Sequence, residues 1–263
     1  WWFNAGFNEC FNVGGRGGES AEAVTPHVLD WIERNGDQDS WFLHVHFWDP
    51  HTPYRAPESF GNPFADEPLP APWITEEVFS EHLMHVGPHS ANEIAMWDDS
   101  TSPQFPRHPG RLENMADMKD MIDQYDCGVR YTDDNIAQIL DLLKKKGLYG
   151  DDLAVIITSD HGENMGELGI YGEHATADEP TCHIPMIIKW PGAKKNFVAR
   201  GLHDNVDLLP TVQELLGTKI AGNYDYDGVS YAGTLLEGED CARESVVLTQ
   251  CCHVCQRSAR FGD

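Results

Sequence analysis

The sequence predicts an α/β layered fold with a mainly parallel or mixed central sheet, on three observations. Short apolar runs stand at Trp41–Phe47, Leu153–Thr158 and Ile184–Ile188. Helical periodicity fills most of the stretch from 113 to 146. The two kinds of segment alternate along the chain. At 263 residues the chain can bury one sizeable core.

Taken in order, a helix is expected over Ala23–Arg34, followed by the strand Trp41–Phe47, whose residues Phe-Leu-His-Val-His-Phe read as buried. From Gly61 to Pro109 proline, histidine and acidic residues mix without clear periodicity, so this segment reads as a long surface excursion. Met115, Met118, Met121, Ile122, Tyr125 and Val129 then recur at helical spacing, as do Ile136, Ile139, Leu140 and Leu143; the methionines read as core packing. Lys144, Lys145 and Lys146 suit the negative end of the helix dipole, and Gly147 ends the helix. After the strands Leu153–Thr158 and Ile184–Ile188 come a helix over Val206–Leu216 and a strand candidate at Ser245–Thr249.

Eighteen basic against 43 acidic residues give a formal charge of −25, which disfavours binding to nucleic acid or to an anionic membrane surface. An anionic ligand must be held by a local site against that field. No run approaches the roughly 20 apolar residues of a membrane span. Seven scattered cysteines do not form a disulfide framework and mildly favour a reducing, cytoplasmic compartment, although the start carries no address. Cys252 and Cys255 have C-x-x-C spacing without a second such pair, and read as ordinary thiols.

In parallel sheets, ligands gather beyond the carboxyl ends of the strands. Asp160 and His161 lie there, directly after Leu153–Thr158, with Gly162 allowing a sharp turn. A neighbouring carboxylate and imidazole can share a metal ion; the alternative is an Asp turn beside a solvated histidine. His51, between Pro50 and Pro53 at the exit of the earlier strand, is held by its turn and suits a proton donor or a hydrogen-bond donor to an anion. His44 and His46 form an H-x-H pair that could hold a metal, but buried, hydrogen-bonded histidines are the expectation. His174 follows in the glycine-rich stretch Gly172-Glu173-His174 and can return its imidazole over the metal.

Together, "FLHVHFWDPHTPY", "AVIITSDHGENMGELGIYGEH", "CHIPMIIKWPG" and "DNVDLLPTVQELLG" resemble the sulfatases of the alkaline-phosphatase superfamily, over about residues 24–216. The resemblance implies an α/β/α alkaline-phosphatase-like domain, of which residues 1–263 would be one part, incomplete at both ends, with the excursion at about 61–109. It implies Asp160 and His161 as metal ligands, and His51 as the histidine that contacts the sulfate and the leaving oxygen. His174 stands where many members have a lysine that binds the sulfate. Calcium is placed first as the metal, with magnesium or manganese as alternatives; oxygen donors with one imidazole suit all three more than a thiolate metal, and the sequence does not choose among them. The implied substrate is a sulfated small molecule or a sulfated sugar.

Sulfatases of this kind attack with a formylglycine made from the cysteine or serine of C/S-x-P/A-x-R. No C-x-P-x-R or S-x-P-x-R occurs in the 263 residues, and the paired N-terminal aspartates of the family have no counterpart; Asp98-Asp99 lies in the excursion. The expectation is a chain that enters after the nucleophile region, with formylglycine upstream. Two alternatives stay open: a phosphoric or phosphonic ester hydrolase of the same superfamily, and a non-catalytic sulfatase-like binding module. His51, Asp160, His161 and His174 are expected to line one pocket.

Overall fold

In the computed structural model, residues 4–14, 18–54, 56–94, 110–218, 225–240, 243–251 and 255–262 are described. The chain forms two compact units: residues 1–150 with 164–173, and residues 151–163 with 174–263.

The first unit is built on two helices, α1 (Ala21–Asn35) and α3 (Met115–Lys145), with the short α2 (Glu76–His82) between them in sequence. Helix α3 opens on Asn114, whose side chain accepts from the N–H groups of Ala116 and Asp117, and closes where Gly147 takes a φ of 71°. Its apolar face buries Met118, Met121 and Ile122 against Tyr54, Ile74, Phe79 and Leu112, so the methionine series is core. Polar contacts lock α1 to α3: Thr25 Oγ1 donates to Asn135 Oδ1 at 2.8 Å, and the Glu22 N–H donates to Tyr131 Oη at 3.2 Å. A hairpin of β2 (Asn164–Met165) and β3 (Tyr171–Glu173) completes this unit, with Met165 and Tyr171 in the same core.

The excursion differs from its sequence reading. Its described part, through Ile94, contains α2 and buries Ile74, Phe79, Ala91 and Ile94. These apolar anchors are spaced too irregularly to give a period, yet each enters the core. Two histidines tie the segment to β3: His82 Nδ1 lies 2.7 Å from Tyr171 Oη, and His89 Nε2 lies 2.8 Å from Glu173 Oε2. Asp98-Asp99 falls outside the described residues, and so does Cys252 of the C-x-x-C pair.

The second unit holds β1 (Val155–Thr158), α4 (Glu179–Cys182), β4 (Met186–Lys189), α5 (Leu208–Leu216), α6 (Ala232–Glu237), β5 (Ser245–Cys251) and β6 (Cys255–Phe261). Strand β1 pairs β4 antiparallel, from Val155↔Lys189 to Thr158↔Met186, and β5 pairs β6 antiparallel from Ser245↔Phe261 to Cys251↔Cys255. The α/β class is observed, and the ladders among the described residues are antiparallel. A parallel return needs a long crossover, usually a helix. Between β1 and β4 the chain spends its length on the β2–β3 hairpin and the four-residue α4. Trp41–Phe47, expected as a strand, joins no ladder among the described residues.

Strands β1 and β4 are also less covered than their composition suggests, with Ile187 63% exposed. The second unit leans on polar anchors. Buried Asp207 accepts from the Val229 N–H at 2.7 Å and the Asp204 N–H at 2.8 Å, and pairs with Arg243. Strand β6 escapes a reading from sequence because "CQRSARF" lacks apolar alternation; as half of a two-stranded ribbon it is mostly exposed.

Candidate active site

His51 sits in a turn closed from several sides. Its N–H donates to Trp48 O at 2.9 Å and its carbonyl accepts from the Tyr54 N–H at 3.0 Å, with cis peptide bonds at Asp49-Pro50 and Thr52-Pro53. Asp49 is buried, and its Oδ2 accepts from the Ala21 N–H at 2.7 Å. Ser20, the residue ahead of α1, makes no side-chain cap, so Asp49 supplies the carboxylate at that helix's N-terminus. Pro50 lies against Gly128 of α3, where a Cβ would come within 2.8 Å of Pro50 Cβ. Tyr54 takes a left-handed φ of 58° yet is fully buried, its hydroxyl 3.7 Å from Met165 Sδ.

The imidazole of His51 lies 4.9 Å from the Trp48 ring, and its Nδ1 is 2.7 Å from Thr52 O. A carbonyl only accepts, so Nδ1 carries the proton in that bond. As a neutral ring His51 offers Nε2 as an acceptor; to donate a proton it must first take one there.

The second cluster hangs from β1. Thr158 Oγ1 donates to Pro185 O at 2.8 Å, and the chain then runs through Asp160 and His161. Asp160 is open, its side chain 73% exposed, and its Oδ1 accepts from the His161 N–H at 3.1 Å. His161 Nδ1 lies 2.9 Å from Gly162 O, which again places the proton on Nδ1 and the lone pair on Nε2. That nitrogen is 3.8 Å from Asp160 Oδ1. Two ligands of one calcium, each at about 2.4 Å, can stand at most roughly 5 Å apart, so the pair fits a shared hard cation. Among the described residues no cluster of three or more His, Cys, Asp or Glu side chains is gathered for a metal. Asp160 and His161 could supply two of the roughly six to eight donors that calcium takes.

Gly162 serves closeness of approach. A Cβ there would fall 2.0 Å from Pro180 O, while its N–H donates to Thr181 O at 2.7 Å. His174 stacks on His161 with ring centroids 4.2 Å apart and planes 13° from parallel. Its Nδ1 lies 3.3 Å from Glu163 Oε1, a carboxylate only 5% exposed. The structure therefore brings Asp160, His161 and His174 together; His51 belongs to the other unit.

Glu163 is absent from the residues that sequence reasoning selects. The signal for it is the hairpin: Asn164 pairs with Glu173, so the residues flanking that pair, Glu163 and His174, leave the ladder side by side. The nearby Cys182 is no ready nucleophile, because burial, with Asp178 and Glu179 beside it, pushes its thiol up. Burial and Asp123 push the Cys127 thiol in α3 up to about 11.

A family profile described as Sulfatase matches residues 2–218. The chain belongs to the sulfatase family. It is 27% identical over 244 residues to the choline-sulfatase of Rhizobium meliloti, covering 88% of this chain and 44% of that protein. It is 27% identical over 196 residues to the multifunctional alkaline phosphatase superfamily protein PehA of Trinickia caryophylli, covering 73% and 37% respectively. This sulfatase-family chain thus spans less than half the length of these two relatives. A solved structure in complex with its substrate D-glucosamine-2-N,6-O-disulfate superposes with a TM-score of 0.70 at 19% identity, over 93% of this chain and 59% of that one. The phosphonate monoester hydrolase from Silicibacter pomeroyi gives 0.63 at 24% identity, over 87% and 45%. These likenesses show that the chain shares the α/β fold of those two structures.

Proposed function

We propose that this chain carries the metal-binding and anion-contacting part of a hydrolase that cleaves the S–O bond of sulfate esters. The observation that carries the reading is the Asp160–His161 pair, a carboxylate oxygen and an imidazole Nε2 3.8 Å apart with the ring proton on Nδ1, inside a chain of the sulfatase family. Asp160 and His161 would hold the divalent metal, which supplies positive charge where the sulfate oxygens gain negative charge. His174 would bind the sulfate. His51, once protonated at Nε2, would give its proton to the leaving oxygen.

Calcium is the metal favoured, and a sulfated small molecule or sugar the substrate; the name of the choline-sulfatase relative and the disulfated glucosamine bound to a structural neighbour support that class. The formylglycine nucleophile used by the family has no C-x-P-x-R or S-x-P-x-R context within these 263 residues, so the chain alone is expected to show no turnover. The relation to PehA, named as multifunctional, keeps phosphoric and phosphonic esters as a second substrate class to be assayed beside aryl sulfates.

Manganese broadening of backbone and imidazole resonances tests the metal assignment even where binding is weak. Signals of Asp160 and His161 should broaden first, and Asp160→Ala should abolish the effect. Broadening centred on other carboxylates, and unchanged in Asp160→Ala, would overturn the assignment.

A further inference from the structure

We infer that Glu163 is the positioning residue for His174, fixing both its tautomer and its direction and, through the ring stack, bracing the metal-binding His161. The inference rests on the roles just proposed for His161 and His174, and adds a residue that those roles do not name.

Three observations converge on it. The first is contrast in exposure: within one short loop the Asp160 side chain is 73% exposed, whereas Glu163 is 5% exposed. A carboxylate taken that far from water must be repaid by hydrogen bonds. The His174 Nδ1–H is the side-chain partner it meets, at 3.3 Å. The second is direction. A carboxylate can only accept, so this bond keeps the proton on Nδ1 and turns the Nε2 edge of His174 away from Glu163. The third is the stack. Rings 4.2 Å apart and nearly parallel leave His174 covering one face of His161, so a His174 that swings also uncovers the imidazole expected to hold the cation.

The arrangement follows from the hairpin. Its ladder begins at Asn164↔Glu173, and the Asn164 side-chain amide donates to Glu173 O at 3.2 Å. The two residues just outside, Glu163 and His174, are delivered to each other by a closed loop. A His at position 174 reaches less far than a lysine would and carries a ring that can point in several directions. A buried carboxylate is the device that selects one. This is the relation of an outer carboxylate to a working imidazole, in which the second nitrogen's partner decides what the first can do.

The test uses the chain with 15N-labelled histidine, read by long-range 1H–15N correlation above about pH 8, where imidazoles are ordinarily neutral. His174 should show the Nδ1–H tautomer. Glu163→Gln, whose amide oxygen also accepts, should keep it, while Glu163→Leu should shift His174 at least three-fold toward Nε2–H. Inorganic sulfate then serves as the anion probe: its apparent affinity should fall about three- to ten-fold in Glu163→Leu and stay within about two-fold in Glu163→Gln. A wild-type His174 in the Nε2–H form would overturn the inference without any variant, which keeps the test decisive if Glu163→Leu fails to fold. Identical spectra for wild type, Gln and Leu would overturn it as well. If sulfate leaves His174 unperturbed while the tautomer responds as stated, the positioning role stands and the anion role proposed above falls.

Discussion

The turn that carries His51 and the loop that carries Asp160 and His161 solve the same problem in opposite ways. In the His51 turn the carboxylate is inside: Asp49 is buried on the N-terminus of α1, Tyr54 is fully enclosed, and the imidazole is presented by a frame that faces it from α1, α3 and its own backbone. In the second loop the carboxylate is outside. Asp160 stands in solvent, and what holds the loop is a backbone contact at Gly162 and a buried carboxylate two residues beyond the imidazole. The His51 turn encloses its carboxylate, and the Asp160 loop leaves its own in solvent.

The sharpest way to break this contrast is Gly162→Ala. The added methyl would lie 2.0 Å from Pro180 O, a backbone atom, so Thr181 or the loop must move. A loss of roughly 3 kcal/mol or more is expected in urea denaturation followed by circular dichroism. A change under about 1 kcal/mol would mean that the loop is not held by this contact.

Asp49→Ala tests the enclosed side. It strips the Ala21 N–H of its acceptor in a buried setting, and a loss of about 2 kcal/mol is expected from urea midpoints, with Asp49→Asn recovering much of it because its oxygen also accepts. Equal losses for Asn and Ala would show that charge at the helix terminus, rather than the hydrogen bond, is what matters.

Each unit also has a histidine that burial makes reluctant to take a proton: His82, with His85 adding to the effect, and His203. Both sit below the ordinary value of about 6.5 in the folded chain. Between that value and the lowered one, the unfolded chain binds more protons than the folded chain. Stability is therefore full above about pH 6.5 and declines as pH falls through this window. Urea midpoints at pH 7.5 and 5.5 should differ accordingly, and His82→Gln should reduce the difference. An increase in stability on acidification across this range would contradict the burial argument.

The smallest effect belongs to Asp160→Asn, which should change stability by no more than about 0.5 kcal/mol because the side chain is solvated. A loss as large as that of Asp49→Ala, measured the same way, would erase the distinction between the open and the enclosed carboxylate.

What the sequence determined by itself is what hydrogen bonds between near neighbours and a regular period can encode. Helix α3 was legible because its methionines repeat at helical spacing and Asn114 and Gly147 punctuate it, and β1 because a short apolar run stops at Ser159-Asp160. The candidate side chains His51, Asp160, His161 and His174 were legible as polar chemistry at the ends of such runs. Tertiary structure alone decided the rest. The antiparallel return of β4, the burial of Ile74 and Phe79 from an unpatterned segment, and the partly exposed faces of β1 and β4 depend on which surfaces meet. So do the carboxylate of Asp49 on a helix that starts 28 residues earlier, the approach of Pro180 to Gly162, and the partnership of Glu163 with His174. A period constrains only the residues that share it; a buried polar group takes the partner that the closed chain brings to it, and that choice is made when the chain closes.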